Sequence, residues 1–374
     1  MNTLSQLDLA GKTVLYHPDY SVPMKDGKIA DDYRIVVTYP TLDYLIKQNC
    51  KIVIVSKMGD PKGQYVAELE LRPVAEVIAD HYPDHVLRLA HEIDAPEVTA
   101  AIAEMQPGDM LMLPNIRFYP EEQTGDVEFG KRLAALADVF VADEFPVIHR
   151  ADASNVIPPT ILPSAAGIQL EKELSTLGGL LKSPAQPFVV IMGGAKVSDK
   201  IEVMRKLAAV ADTILIGGAM ANTFLLAKGE DIGDSLAEHD KVEVAKSLME
   251  EFGDKLVLAT DFAKDDEKAA KFRYLDIGSK SIDLFKEHLK DAKTIFWNGS
   301  LGYTEDPKYA VASTEIAKFI SARKDVVSVV AGGDTVELVT RLKMRDDFTF
   351  VSSGGGAALD LLAGVELPGV IALG

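Results

Sequence analysis

Pro187-Phe-Val-Val-Ile-Met192 runs directly into Gly193-Gly194-Ala195-Lys196-Val197-Ser198-Asp199-Lys200. The first six residues form a short continuous apolar run, the pattern of a buried parallel strand. After the second stretch, Ile201, Met204, Leu207 and Ala208 recur at helical spacing. Two glycines and two lysines therefore sit on a strand-to-helix turn. Glycines let backbone N–H groups approach a polyphosphate, and a helix start favours an anion. Lys196 and Lys200 would offset charge that builds on a transferring phosphoryl group. The order G-x-x-x-x-G-K-[ST] of a Walker A loop is absent. A plain tight turn with solvated lysines fits this spacing as well as a phosphate site does.

Outward from this turn, the second half repeats the strand–helix pattern. Its strands end at Gly193-Gly194, Gly217-Gly218, Gly299, Gly332-Gly333 and Gly354-Gly355-Gly356. Five glycine-bearing strand ends predict one edge with backbone open to a large ligand, although packing glycines at strand–helix corners are the bland alternative. Asp334-Thr335 follows one of them, placed for Mg²⁺ or a phosphate, and Gly354 and Gly355 open onto a helix over 357–363. The first half alternates strands over 13–17, 51–57, 110–114 and 138–143 with helices over 39–48, 73–81, 97–103 and 129–137. Alternation of this kind predicts an α/β fold with parallel, doubly wound sheets. Ligands of such sheets lie beyond the carboxyl ends of the strands. There the first half carries Asp19, Ser21, Lys57, Asp60, Arg117, Glu144, His149 and Arg150, an edge suited to a small polar substrate. Prolines 158, 159 and 163 mark a boundary before a long helix over 165–181 that connects two domains.

The chain has 374 residues, room for two domains, with 47% hydrophobic and 26% charged residues. Its net charge of −18 disfavours nucleic acid and anionic membranes as partners. Any anionic ligand must be held by local cations against that field. Cys50, the single cysteine, reads as a buried structural thiol in a reducing compartment. No signal peptide and no membrane span is read, so a cytoplasmic location is expected. Trp297 and Met192, Met204 and Met220 read as packing residues, His17 and His149 as surface or local hydrogen-bonding groups, and Glu171-Lys172-Glu173 as a solvated helix face unless it lies on the hinge. The apolar tail from Glu366 reads as docked.

Taken together, the motifs resemble the phosphoglycerate kinase family from the first strand to Glu366-Leu-Pro-Gly369. In the second half they are Gly-Gly-Ala-Lys-Val-Ser-Asp-Lys (193–200), Gly-Gly-Ala-Met (217–220), Trp-Asn-Gly (297–299), Gly-Gly-Asp-Thr (332–335) and Ser-Gly-Gly-Gly-Ala (353–357). In the first half they are Asp-Gly-Lys-Ile-Ala-Asp-Asp-Tyr-Arg-Ile (26–35), Asn-Ile-Arg-Phe-Tyr-Pro-Glu-Glu (115–122) and His-Arg-Ala-Asp-Ala-Ser (149–154). The resemblance implies two α/β domains joined by a hinge helix: an acceptor domain over 1–164, the helix over 165–182, a nucleotide domain over 183–357, and a segment over 358–374 returning to the first domain. It implies a monomer, transfer between Mg-ATP or Mg-ADP and 3-phosphoglycerate in glycolysis, and a hinge closure that excludes water.

By the same resemblance, Lys196 would stabilise the transferring group and Lys200 would hold nucleotide phosphate. Gly194, Ala195, Gly218, Asn298 and Glu305 match positions around adenine, phosphates and ribose, Asp334 the residue near the metal, and Thr335 the adjacent phosphate contact. Ser279 and Ser300 replace family prolines. Arg34 matches the catalytic arginine, Arg117 and Arg150 match two of the basic patch, and Asp19 the aspartate that meets the substrate hydroxyl. Here the departures are larger. Ser21 replaces an asparagine, Lys57 a histidine, Asp60 an arginine, Glu144 an alanine, Pro146 a glycine and Asp152 a histidine. A unit charge at about 4 Å is worth roughly 4 kcal/mol at an effective dielectric near 20. An arginine exchanged for Asp60 would therefore remove several such kcal/mol of phosphate binding, unless Lys57 recovers part of it or Asp60 turns away to pair with Lys57 or Lys62. Three readings stay open: a working phosphoglycerate kinase, a same-fold kinase with another carboxylate acceptor, and a non-catalytic nucleotide-binding relative.

Overall fold

The computed structural model describes residues 1–93, 95–265 and 271–374. The chain divides into two compact units, Met1–Ser175 with Glu366–Gly374, and Thr176–Val365. Each unit is built on a six-stranded sheet in which every strand pairing is parallel. The doubly wound α/β architecture is the expected one.

The first sheet comprises β1 (Thr13–Pro18), β2 (Lys51–Ile54), β3 (Leu87–Leu89), β4 (Met110–Met112), β5 (Val139–Asp143) and β6 (Ser164–Ala166), in the order β3-β4-β2-β1-β5-β6. Val14, Leu15, Ile52, Val53, Phe140 and Val141 are buried because helices cover both faces. The four strands expected in this half are present. The helix expected over 165–181 is corrected at its start: Ser164–Ala166 is an edge strand, and the helix runs Ile168–Lys182. Asp143 sets that boundary. Its carboxylate accepts from Leu170 N at 2.8 Å, from Tyr16 Oη at 2.8 Å and from Thr41 Oγ1 at 2.6 Å, while Thr41 Oγ1 accepts from Ile168 N at 3.0 Å. Two orphan N–H groups of the helix start are thus satisfied by side chains from other elements, Thr41 being 127 positions from Ile168 and Asp143 27 positions from Leu170.

The second sheet comprises β7 (Phe188–Met192), β8 (Thr213–Ile216), β9 (Leu256–Leu258), β10 (Thr294–Asn298), β11 (Val327–Ala331) and β12 (Phe350–Val351), in the order β9-β8-β7-β10-β11-β12. Strand order reverses between β7 and β10, which opens a crevice at their carboxyl ends. A hairpin of Phe262–Asp265 and Arg273–Ile277 belongs to the same unit. The tail is docked within the first unit: Leu367 and Leu373 are buried, Pro368–Ala372 packs on Ala153–Val156, and Gly369 N donates to Ile148 O at 3.0 Å.

Cys50, Trp297, Met192, Met204 and Met220 are buried, as expected. Two side chains depart from the surface reading. His17 is 1% exposed rather than at the surface, and burial holds its pKa down at about 3, with Asp19 opposing and Lys57 and Arg117 assisting. Within Glu171-Lys172-Glu173, Glu173 is buried and accepts from Gln169 Nε2 at 3.1 Å.

Candidate functional site

At the carboxyl ends of β7, β10 and β11 lies a cavity of about 330 Å³, walled by Gly194, Ala195, Lys196, Asp199, Lys200, Asn298, Gly299, Gly332, Gly333, Asp334, Gly355 and Leu359. The glycines make it by close backbone packing. Gly194 N donates to Ser300 O at 2.8 Å, Gly218 N to Leu301 O at 2.9 Å, and Met220 N to Gly194 O at 2.9 Å. A Cβ on Gly218, whose φ is +65°, would lie 2.6 Å from Gly194 N and Ser300 O. The N–H groups of Gly194 and Gly218 are therefore committed to the protein, and the anion-binding helix start expected after 193–200 is filled by Glu238. Glu238 Oε2 accepts from Val197 N at 2.6 Å and Ser198 N at 3.0 Å, and Oε1 accepts from Ser198 Oγ at 2.6 Å. Two other helices, Gly333–Arg341 and Gly356–Ala363, begin at this cavity with first-turn N–H groups that have no intrahelical partner.

Asn298 is 2% exposed, and its Nδ2 has no hydrogen-bond partner among the described residues. A buried unpaired donor on a cavity wall is costly unless a ligand supplies the acceptor. Lys196 is exposed beside it. Lys200 is buried, donates to Gly193 O at 2.5 Å and Asn298 O at 3.3 Å, and has its pKa lowered by burial to about 8, with Asp334 and Asp199 opposing. It ties β7 to β10 beneath the cavity. Thr335 is also buried, its Oγ1 accepting from Gly299 N at 2.7 Å. Gly354 is buried while Gly355 lines the wall.

A second cavity of about 160 Å³ shares Gly194, Ala195 and Asp334 with the first and extends past Gly218, Asn222, Leu236, Phe262, Tyr274, Tyr303 and Glu305. Its walls are largely apolar and aromatic, suited to a flat base. Asn222 Nδ2 donates to Leu236 O at 2.9 Å, and its Oδ1 is buried without a partner among the described residues. Asn222, Phe262 and Tyr274 carried no sequence signal of their own. Only the proximity of Asn222 to the motif at 217–220 could have pointed to it.

In the first unit, Asp19, Ser21, Arg34 and Lys57 form one hydrogen-bonded cluster. Lys57 Nζ lies 3.1 and 3.2 Å from the Asp19 oxygens and 2.8 Å from Ser21 Oγ. Arg34 Nη1 donates to Ser21 O at 2.9 Å and lies 3.4 Å from Asp19 Oδ2. Burial raises the Asp19 carboxyl, but Lys57, Arg34 and the Ser21 N–H outweigh it and hold the pKa at about 2. Arg117 is buried and pairs with Asp152 at 2.6 Å, whereas Arg150 is exposed. Asp60 is exposed, and no ion pair joins it to Lys57 or Lys62 among the described residues. Glu144 is fully buried, and burial raises its pKa above the usual carboxylate range.

A family model described as phosphoglycerate kinase matches residues 4–365. The chain belongs to the phosphoglycerate kinase family. Phosphoglycerate kinases of Desulforudis audaxviator and Staphylococcus aureus are 43% and 42% identical to it, each alignment covering 99% of this chain and 98% of the relative. Solved phosphoglycerate kinase structures from Coxiella burnetii and Pyrococcus horikoshii superpose with TM-scores of 0.86, at 31% and 30% identity, over 100% of this chain and 98% of each. The family's activity is that of a kinase, and phosphoglycerate kinase chemistry is the frame for both sites. No relative or neighbour favours the readings with another acceptor or without catalysis.

Proposed function

We infer that the chain catalyses reversible phosphoryl transfer from ATP to the carboxylate of 3-phosphoglycerate, giving ADP and 1,3-bisphosphoglycerate. A carboxylate oxygen forms the new bond to the γ-phosphorus as the bond from that phosphorus to the β–γ bridging oxygen breaks. The acceptor is already ionised, so no general base is required. The observation that carries the nucleotide side is the buried, unpartnered Asn298 Nδ2 on a cavity flanked by Lys196, Asp334 and two helix starts.

In this reading Lys196 offsets charge on the transferring group, Gly194, Ala195, Gly218 and Glu305 border the nucleoside, and Gly355 borders the phosphates. Lys200, on the cavity wall, holds nucleotide phosphate, with Thr335 and Gly354 beside it at the nucleotide site. Magnesium typically binds through one or two carboxylates plus substrate phosphates. Asp334 on the shared wall fits that role, and among the described residues no cluster of three acidic, histidine or cysteine side chains offers a full protein cage. On the acceptor side Arg34 stabilises the transferring group, Asp19 and Ser21 orient the substrate hydroxyl, and Lys57, Arg117 and Arg150 supply positive charge, with Asp60 outside the cluster. The reading assigns acceptor binding to 1–164, nucleotide binding to 183–357, a hinge to 165–182 and a return of 358–374. Transfer requires the two ligands to meet, so hinge-bending is part of it. It carries with it a cytoplasmic monomer acting on small molecules, with neither nucleic acid nor membrane as partner, in keeping with the net charge of −18.

The test is an assay with Mg-ATP and 3-phosphoglycerate, the product drained by a coupled dehydrogenase. Turnover on the order of 1–100 per second is expected. No turnover with ATP still bound in calorimetry would overturn the acceptor assignment and direct the search to other carboxylic acids.

A further inference from the structure

We propose that Glu238 is a positioning residue for Lys196: its carboxylate, brought in from forty positions downstream, fixes the backbone from which the transfer lysine projects. The proposal rests on the reading of Lys196 given above.

Lys196 is exposed on a long flexible stem, so its position depends on its backbone. That backbone leads into a 3₁₀ turn, Ser198–Lys200, and the helix Ile201–Ala208. The residue at the cap position is Val197, which has no side-chain oxygen to cap with. Glu238 fills the deficit. One oxygen takes the N–H groups of Val197 and Ser198, and the other takes the Ser198 hydroxyl. These three bonds pull the carboxyl below its usual range, although partial burial opposes them. Hydrogen bonds to an ionised acceptor are about twice as strong as neutral ones.

Glu238 is itself held. Its N–H donates to Thr223 Oγ1 at 3.0 Å, and Asn222 Nδ2 holds Leu236 O at 2.9 Å. Both partners lie on the buried face of Gly218–Ala227, the helix that walls the nucleoside cavity. The tether therefore runs from a rigid helix, through Glu238, to the two residues that follow Lys196. A displacement of about 1 Å in such a group costs on the order of a hundredfold in rate. The nucleotide's other borders, Gly194, Gly218 and Glu305, do not depend on Glu238 for a hydrogen bond.

The experiment is a double-mutant cycle on the full chain, with kcat and the ATP KM measured in the coupled assay and folding monitored by thermal melts. E238A is expected to lower kcat by roughly 10- to 100-fold while changing the ATP KM less than about threefold. E238Q keeps an acceptor oxygen for the two N–H groups and is expected to restore most of kcat. In a K196A background, E238A is expected to cost less than about twofold more, because the group it positions is gone. S198A removes one of the three bonds and is expected to lower kcat about threefold; it decides the matter should E238A fail to fold. Unchanged kcat in E238A or S198A, or losses that multiply in the double variant, would overturn the proposal. If K196A itself kept full kcat, the reading of Lys196 would fall first and this proposal with it.

Discussion

Arg117 and Asp152 are both buried and meet at 2.6 Å, so the guanidinium expected to bind substrate phosphate is already held by a carboxylate of its own chain. An incoming phosphate competes with that carboxylate for Arg117. Asn at position 152 keeps a hydrogen-bonding oxygen and removes the competing charge. D152N is expected to lower the KM for 3-phosphoglycerate about tenfold, a shift of about 1.4 kcal/mol. The melting temperature is expected to fall, because a buried arginine loses its counter-charge. A raised KM in steady-state kinetics would contradict this account.

Lys57 is the main reason that the buried Asp19 stays ionised. With a folded pKa of about 2 against an ordinary 3.8, Asp19 contributes stability that is present above pH 3.8 and lost as pH falls through about 2. K57M leaves that carboxylate with Arg34 and the Ser21 N–H. It is expected to cost about 3–5 kcal/mol in urea unfolding at pH 7. A cost below about 1 kcal/mol, the range of a surface pair, would show that Lys57 is not its principal partner.

Glu122 titrates in the opposite sense. Burial raises its pKa to about 7 from 4.5, against hydrogen bonds from Ser154 N at 3.0 Å and Ser154 Oγ at 2.6 Å. Between those pH values the folded chain keeps a proton that the unfolded chain has released, so stability falls as pH rises through the window. E122Q fits the same contacts, with its amide donating to the Ser154 hydroxyl. It is expected to remove up to about 3 kcal/mol of that pH dependence, read as the difference in urea stability between pH 5 and pH 8. An unaltered difference would place the titrating group elsewhere.

The two lysines of the turn at 193–200 are expected to behave differently. Lys196 is exposed and makes no strand-end bond among the described residues, so K196A should lower kcat by about a hundredfold or more and leave the melting temperature nearly unchanged. Lys200 bonds Gly193 O and Asn298 O from a buried position. K200M should destabilise the fold by about 1–3 kcal/mol as well as weaken ATP binding. Equal melting temperatures for the two variants would argue against a structural role for Lys200.

Gly218 has no room for a side chain. Its φ of +65° is strained for any other residue, and a Cβ would press on Gly194 N and Ser300 O. G218A is expected to raise the ATP KM at least tenfold while the acceptor KM stays within about twofold, since the acceptor cluster lies in the other unit. Calorimetric ATP binding equal to that of the parent would remove Gly218 from the site.

Much of this molecule is determined by sequence that acts over short range. The apolar run 187–192 makes a strand because both its faces are buried, and the glycines after it are required by the close approach of strand ends. Alternation of such runs with helical spacing specifies the doubly wound fold, and the ordered motifs specify the family. What the tertiary structure alone decided lies between distant residues. The three-residue edge strands Leu87–Leu89, Ser164–Ala166 and Leu256–Leu258 are too short for any period to show, and they exist because a neighbouring strand offers its backbone. Lys200 reads as a phosphate ligand because a lysine after a glycine turn is locally free; that it also bonds Gly193 O and Asn298 O from a buried position on the cavity wall is decided by the topology. His17 lies within a strand that helices cover, so it is interior despite its polarity. The bonds from Val197 and Ser198 to Glu238, and from Arg117 to Asp152, join groups whose charge is plain in the sequence but whose partner is not. Periodicity reports which face of an element is apolar; which polar groups lose water, and what they meet when they do, is fixed only once the sheets bring them together.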